Sequence, residues 1–228
     1  MYPNQLVAQS TELDRADFYR KTYLHVALAV LAFIAVEAFL IQVIPQHFIL
    51  GMVGQKYTWL LVLGIFWVAS MLANRWSLSQ NRSTQYMGLG FYVLIEAFIF
   101  LPMIYMAVVY AGTGVIFQAA MLTVALFAGL SGVAFSSKRD FSFLRSIIIV
   151  GGFVSIGLIV AGMIFGFNLG LWFSVGMVLL ASASILYETS KLKEIYTTDR
   201  YVGASLQLFA SVMLLFWYIL RILMSRKN

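Results

Sequence analysis

The chain has 228 residues, of which 62% are hydrophobic and 11% are charged, and its formal net charge is +6. A soluble domain carries about 25% charged residues, so there are too few charges here to cover a water-facing surface. The chain has no cysteine and only two histidines, which excludes disulfides, thiolate metal sites and multi-histidine metal clusters. We therefore predict an all-α integral membrane protein without a metal site or cofactor.

The N-terminal segment is polar and mixed in charge. It lacks the basic start and short apolar core of a cleaved signal peptide, so the first apolar run is expected to remain as an anchor. We predict a polar tail at 1–22, a single transmembrane helical bundle at 23–223 and a short basic tail at 224–228.

Seven apolar runs follow the tail. A hydrocarbon core of about 30 Å needs roughly 20 helical residues. The predicted spans are 23–44, 57–74, 86–110, 117–136, 146–166, 169–189 and 202–223. Because the connection at 165–169 is very short, the fifth and sixth spans should form an antiparallel pair.

Small residues mark expected packing positions in two of these spans. Small side chains let helices approach closely within lipid. The fifth span contains the GxxxG pair Gly162 and Gly166, and the fourth contains Ala125 and Gly129. We expect both pairs to face neighbouring helices.

The lysines and arginines predict the orientation, because cytoplasmic segments carry an excess of both. Eleven of the fifteen fall on the side of the N-terminus, which is therefore predicted to be cytoplasmic: Arg15, Arg20, Lys21, Arg75, Arg82, Lys138, Arg139, Arg145, Lys191, Lys193 and Arg200. The outer side holds Lys56, Arg221, Arg226 and Lys227, which conflicts mildly with the rule. A re-entrant segment in place of one span would return the C-terminus to the inside. The cations lie in short connections without an RNA-binding motif, so no nucleic-acid partner is expected.

Three glutamates lie within predicted spans, where an ionised group costs about 2.5–3.5 kcal/mol at the bilayer centre. They are Glu37, Glu96 and Glu188. Pro102 follows Glu96 and should kink that helix, which is compatible either with a cavity or with a purely structural bend. A hydrogen bond from a neighbouring helix would satisfy Glu37, making it the weakest functional candidate.

Glu188 has two interpretations. It lies four residues after Ser184, so both side chains share one helical face. It could belong to an ion or proton pathway, or it could be an interfacial carboxylate paired with Lys191 or Lys193.

A polar stripe follows the last span. Its members lie at offsets of 0, 4, 11 and 14 residues, which is one helical face: Gln207, Ser211, Tyr218 and Arg221. A helix surrounded by lipid would not keep such a stripe, so we expect this helix to be internal. An interhelical hydrogen-bond network would also explain the stripe and requires no transport.

Residues 129–132 read Gly-Leu-Ser-Gly, the pattern of intramembrane rhomboid serine proteases. That chemistry needs a histidine base on a later span, and no histidine follows His47. We therefore predict no catalytic residue and no enzymatic activity.

Three segments together resemble the Bax inhibitor-1 family, and within it the bacterial YccA-like branch. They are Ser-Lys-Arg-Asp-Phe-Ser-Phe-Leu at 137–144, Ile-Leu-Tyr-Glu-Thr-Ser at 185–190 and the closing span at 205–223. The resemblance implies a seven-helix fold whose last helix is wrapped by the other six, an inner-membrane location and a pH-sensitive calcium leak.

The resemblance also implies a pair of acids, one on the sixth span and one on the seventh, that shares a proton and closes the pore. Glu188 occupies the first position, and Ser211 stands at the second. One carboxylate cannot titrate as a coupled pair unless another acid, such as Glu96, contributes. The candidate ion or proton pathway therefore comprises Glu188, Ser211, Glu96 and Gln207, with calcium or protons as the candidate ions.

The resemblance also offers an alternative function. YccA-like members resemble a substrate and modulator of the membrane AAA protease FtsH and its HflK–HflC partners. In that case the polar N-terminal tail would be the segment that the protease engages.

Overall fold

The computed structural model describes residues 5–54, 56–137 and 139–226. The protein is 87% helical, and its described residues form eight α-helices and no β-strand. In chain order the helices are α1 (Glu12–Val43), α2 (Gln46–Gly54), α3 (Lys56–Ser77), α4 (Arg82–Met106), α5 (Thr113–Ser136), α6 (Leu144–Phe165), α7 (Gly170–Glu194) and α8 (Tyr201–Ser225). Seven helical stretches within these ranges are long and apolar enough to cross a membrane, which confirms the predicted all-α membrane protein.

Helix α1 begins earlier than the first predicted span. The Thr11 side chain accepts a hydrogen bond from the Asp14 backbone amide at 3.2 Å and caps the helix. With 32 residues, α1 is roughly 48 Å long and exceeds the hydrocarbon core. Residues 12–22, assigned from sequence to the polar tail, are therefore an extension of the first membrane helix.

The sequence did not predict α2, because nine residues are too few to span a bilayer. It follows Pro45, whose carbonyl accepts a hydrogen bond from the Phe48 amide at 3.0 Å. Ile49 and Met52 are buried, whereas Phe48 is exposed. Helix α2 is thus a short connecting helix with one buried face.

Helix α4 continues through Pro102 to Met106 and then changes to a π-helix at Ala107–Ala111. Proline removes the backbone donor that would reach the carbonyl four residues earlier, and α4 continues past this gap before the π segment begins. Gly112, with φ of 83°, ends this stretch in a conformation that favours glycine.

The connection between α6 and α7 is turned by two glycines with positive φ, Gly166 and Gly170. The Gly166 amide donates to the Gly162 carbonyl at 2.8 Å, so the predicted GxxxG pair ends the helix. The close contact lies at the other end, where a Cβ on Gly151 would stand 2.7 Å from Leu180 Cδ1. This contact and the short connection make α6 and α7 antiparallel, as predicted.

The expected packing role of the small-residue pairs was therefore wrong in detail. A Cβ on Gly129 would meet nothing within 4 Å. By contrast, a Cβ on Gly88 would lie 2.5 Å from the Ser77 backbone nitrogen, where α4 meets the end of α3. Close backbone approach occurs where a glycine faces another helix, and a GxxxG spacing alone does not specify this.

The chain divides into two compact units, Met1–Pro102 with Lys191–Phe209, and Met103–Ser190 with Ala210–Asn228. In α8 and in the α4 span, more than half of the most apolar stretch of the helix is buried. In each of the other five spans, less than a quarter of the corresponding stretch is buried. The burial of α8 agrees with the expected internal last helix. The α4 span is equally buried, which the sequence did not predict.

Some sequence predictions concern residues outside this description. The residues concerned are 1–4 of the N-terminal tail, 227–228 of the C-terminal tail, and the cation Lys138.

Candidate functional site

In the second unit, a pair of hydroxyl groups joins α7 to α8. The Ser184 and Ser211 Oγ atoms lie 2.8 Å apart, and only 6% of Ser211 is exposed. Ser184 was expected to share a face with Glu188, and Ser211 was expected on the polar stripe of the last span. The fold brings two of these predicted positions into direct contact.

Glu188 lies one helical turn after Ser184 on α7 and is 9% exposed. Thr189 and Ser190, which follow it, are also buried. The Thr189 hydroxyl has no hydrogen-bond partner among the described residues. This end of α7 therefore carries a buried carboxyl and adjacent buried hydroxyls.

The polar stripe on α8 contacts neighbouring helices within each unit. In the first unit, Gln207 Nε2 donates to Asn74 Oδ1 of α3 at 2.6 Å. In the second, the Tyr218 ring packs edge-on against Phe173 of α7, with centroids 5.9 Å apart. Sequence reasoning missed Asn74, although an amide close to the end of an apolar run was a usable signal.

Glu96 is buried in the first unit and is 4% exposed. Tyr92, one turn earlier on α4, hydrogen-bonds to this carboxyl group. Its Oε2 atom has no partner within the described part of the chain. Glu96 therefore retains hydrogen-bonding capacity inside a membrane helix.

Glu37 is also 4% exposed, and neither carboxyl oxygen has a hydrogen-bond partner among the residues described. The expected hydrogen bond from a neighbouring helix is absent there. One turn earlier, Phe33 packs edge-on against Phe100 of α4, with ring centroids 5.2 Å apart. Glu37 follows Phe33, and Glu96 precedes Phe100. The ring pair therefore separates the two acids along these helices.

The hydrogen-bond network around His25 in the first unit was not predicted from the sequence. His25 Nδ1 donates to the Lys21 carbonyl at 2.7 Å, which leaves Nε2 to accept from Tyr86 Oη at 3.0 Å in the neutral ring. Tyr86 Oη lies 3.3 Å from Tyr201 Oη, and the Arg82 guanidinium lies over the Tyr201 ring at 4.3 Å. This network joins α1, α4 and α8.

Comparison with known proteins identifies the family. The family model described as Inhibitor of apoptosis-promoting Bax1 matches residues 15–228. The chain belongs to the Bax inhibitor-1 family.

Two bacterial relatives of this Bax inhibitor-1 member show similarity over different shares of the chain. An uncharacterized protein of Pseudomonas aeruginosa is 31% identical over 227 residues, covering 96% of this chain and 93% of the relative. An uncharacterized membrane protein of Vibrio cholerae is 33% identical over 113 residues, covering 49% of this chain and 50% of the relative. Together with the seven apolar helices, these matches establish an integral membrane protein.

In this Bax inhibitor-1 member, the α7–α8 contact consists of two hydroxyls, with a buried carboxyl one helical turn further along α7. The described residues contain no group of three or more histidine, aspartate or glutamate side chains that could hold a metal ion.

Proposed function

We propose that this protein is a pH-sensitive ion leak in which the charge of Glu188 controls passage at the α7–α8 contact. The observation that carries the proposal is the Ser184–Ser211 hydroxyl contact at 2.8 Å, one helical turn from a buried carboxyl group. Buried ionisable groups in membrane helices are rare and usually mark ion or proton pathways.

The physical basis is the cost of an unsolvated charge. An ionised carboxylate in a low-dielectric environment requires water, a cation or hydrogen-bond donors. Ionisation of Glu188 therefore favours a hydrated contact that admits a cation, whereas protonation favours a dry, closed one. Flux should fall as pH is lowered through the titration of this group.

Calcium is the ion that the family resemblance implies. Calcium takes 6–8 oxygen ligands, whereas Glu188, Ser184 and Ser211 supply one carboxylate and two hydroxyls. A transient calcium ion here would retain most of its water. Weak coordination of this kind suits a leak better than a storage site.

Glu96 is the second acid proposed for the pathway, together with Gln207 in the same unit. The unpartnered Oε2 of Glu96 supports a role in accepting a proton or contacting water. Glu96→Gln should then change the pH dependence of flux as well as its size.

Flux into liposomes that contain the purified protein tests the proposal. Calcium and proton fluxes are measured from pH 6 to pH 8 for the wild type and Glu188→Gln. We expect Glu188→Gln to reduce flux and to remove most of its pH dependence, leaving the smaller part that Glu96 contributes. Glu194→Gln, at the exposed end of the same helix, is the matched control and should behave as wild type. Equal flux from wild type and Glu188→Gln, or equal losses from both variants, would contradict the proposal.

Interaction with a membrane AAA protease is the alternative function. The Val7 amide donates to the Tyr196 carbonyl at 2.9 Å, and the Thr198 amide donates to the Gln5 carbonyl at 3.0 Å. Engagement by a protease would first have to release this N-terminal segment, so we place this alternative second.

A further inference from the structure

A cavity with several polar lining residues lies in the second unit where α6 ends, α7 begins and α8 ends. Its volume is about 250 Å³, compared with roughly 30 Å³ for one water molecule in the liquid. The lining residues are Asn168, Gly170, Leu171, Ser174, Arg221 and Ser225. The leak proposed above uses none of them.

The guanidinium of Arg221 has no hydrogen bond or ion pair with any residue that the structure describes. The acidic side chains in the described part of this unit are those of Asp140 and Glu188. Asp140 precedes α6, whereas the cavity follows that helix. Glu188 lies fourteen residues along α7 from Ser174, which is roughly 21 Å. Neither of these two carboxylates is therefore placed to neutralise Arg221.

The other polar groups supply further donors. Ser174 is 2% exposed and lines the cavity, where its hydroxyl is a further hydrogen-bonding group. The Asn168 side-chain oxygen accepts from the Gly170 amide at 3.3 Å, which leaves its NH₂ group available. A guanidinium, a hydroxyl and an amide NH₂ together match an anion.

Exposed aromatic side chains place this cavity at the level of lipid headgroups. Trp172 is 84% exposed and Phe165 is 78% exposed, on either side of the α6–α7 connection. Tryptophan is enriched at the membrane–water interface, where lipid headgroups lie. Arginine matches phosphate oxygens with two parallel hydrogen bonds.

We propose that this cavity binds a phosphate group and that its source is the headgroup of an anionic phospholipid. Arg221 contacts the phosphate oxygens, and Ser174 and Asn168 donate the remaining hydrogen bonds. Such a ligand also gives the basic end of the last helix a role. The predicted orientation puts this end on the outer side of the membrane, where lysine and arginine are disfavoured.

Native mass spectrometry of the full-length protein in a neutral detergent measures the binding directly. The probes are dioleoylphosphatidylglycerol, dioleoylphosphatidylcholine, glycerol 3-phosphate and inorganic phosphate. We expect preferential binding of phosphatidylglycerol and about ten- to hundredfold weaker binding by Arg221→Gln. The control Arg226→Gln, an exposed arginine that does not line the cavity, should bind as wild type.

Ser174→Ala keeps the charge and provides a second variant if Arg221→Gln does not fold. It should weaken phosphatidylglycerol binding several-fold. Ser182→Ala should not, because the Ser182 hydroxyl donates to the Val178 carbonyl of its own helix at 2.8 Å. Unchanged binding by Ser174→Ala, or equal losses from Arg221→Gln and Arg226→Gln, would overturn the site. Binding of the free phosphates without a preference for phosphatidylglycerol would overturn the lipid assignment.

Discussion

Gln207 and Asn74 are 133 positions apart in the chain, yet Gln207 Nε2 lies 2.6 Å from Asn74 Oδ1. The hydrogen bond joins α8 to α3 within the first unit. Between membrane helices such a bond has a modest net effect, because polar groups in the unfolded state within the membrane also find partners.

A double-mutant cycle with Asn74→Leu and Gln207→Met measures this interaction. We expect a coupling free energy of about 0.6 kcal/mol, with an upper value near 1.7 kcal/mol. The measurement is denaturant-induced unfolding in detergent micelles. Ser155→Ala paired with Gln207→Met should show no coupling, because the Ser155 hydroxyl donates to the Gly151 carbonyl of its own helix. If the two cycles give equal coupling free energies, the hydrogen bond between Gln207 and Asn74 is not the source of the coupling.

Gly88 lies where α4 approaches the backbone of α3. Its added Cβ would stand 2.5 Å from the Ser77 nitrogen and 2.7 Å from the Ala73 oxygen, and backbone atoms cannot move away readily. Gly88→Ala should therefore lower the free energy of unfolding by about 1–3 kcal/mol. Gly90→Ala is the control, because a Cβ there would meet nothing within 4 Å. If both variants unfold at the same temperature, the close approach does not contribute to stability.

Ser211→Asp tests the gating proposal by placing a second carboxyl at the α7–α8 contact. Two neighbouring carboxyl groups titrate as a coupled pair, because the first negative charge disfavours the second. The midpoint of the pH dependence of flux should therefore move to higher pH. Ser211→Asn has nearly the same shape without a charge and should leave this midpoint unchanged. Identical midpoints for all three proteins would argue against Glu188 as the group that titrates.

Asp140 precedes α6 and is held by Ser142. The Ser142 amide and hydroxyl donate to its carboxylate at 2.7 Å and 2.8 Å, and they lower the pKa of Asp140. A lowered pKa contributes stability above the unfolded-state pKa, and this contribution is lost as pH falls through the folded-state value. Ser142→Ala removes only the hydroxyl, so the pKa of Asp140 should rise part of the way to its ordinary value. Carboxyl ¹³C shifts measured against pH test this, with Ser136→Ala as the control.

Deleting residues 1–10 should loosen the segment that carries Thr198. The deletion removes the Gln5 carbonyl that accepts from the Thr198 amide and the Val7 amide that donates to Tyr196. Hydrogen exchange at the Thr198 amide should become about two- to tenfold faster, the range set by one hydrogen bond.

The Ser137 amide, which donates to the Val133 carbonyl in the other unit, is the reference and should not change. If the deletion also leaves the hydrogen-exchange rate of the Thr198 amide unchanged, the N-terminal segment is already detached from this amide in the full-length protein. That result would favour the protease alternative.

The sequence predicted the membrane environment, the seven apolar helices and the residues that lipid would not tolerate. These properties are local, because span length and helical periodicity depend on residues close together in the chain. The polar face of α8 was predicted for this reason. The extension of α1 to Glu12 and the short helix α2 were missed, because a hydropathy pattern reports what crosses the bilayer and not where a helix ends.

The tertiary structure alone decided which polar groups meet. Periodicity placed Ser184 and Ser211 each on a polar face, but not opposite each other. Nor could helical periodicity indicate that Gly166 ends a helix or that Arg221 lines a cavity. Those relationships depend on the rotation and depth of each helix against its neighbours, which packing between distant segments determines.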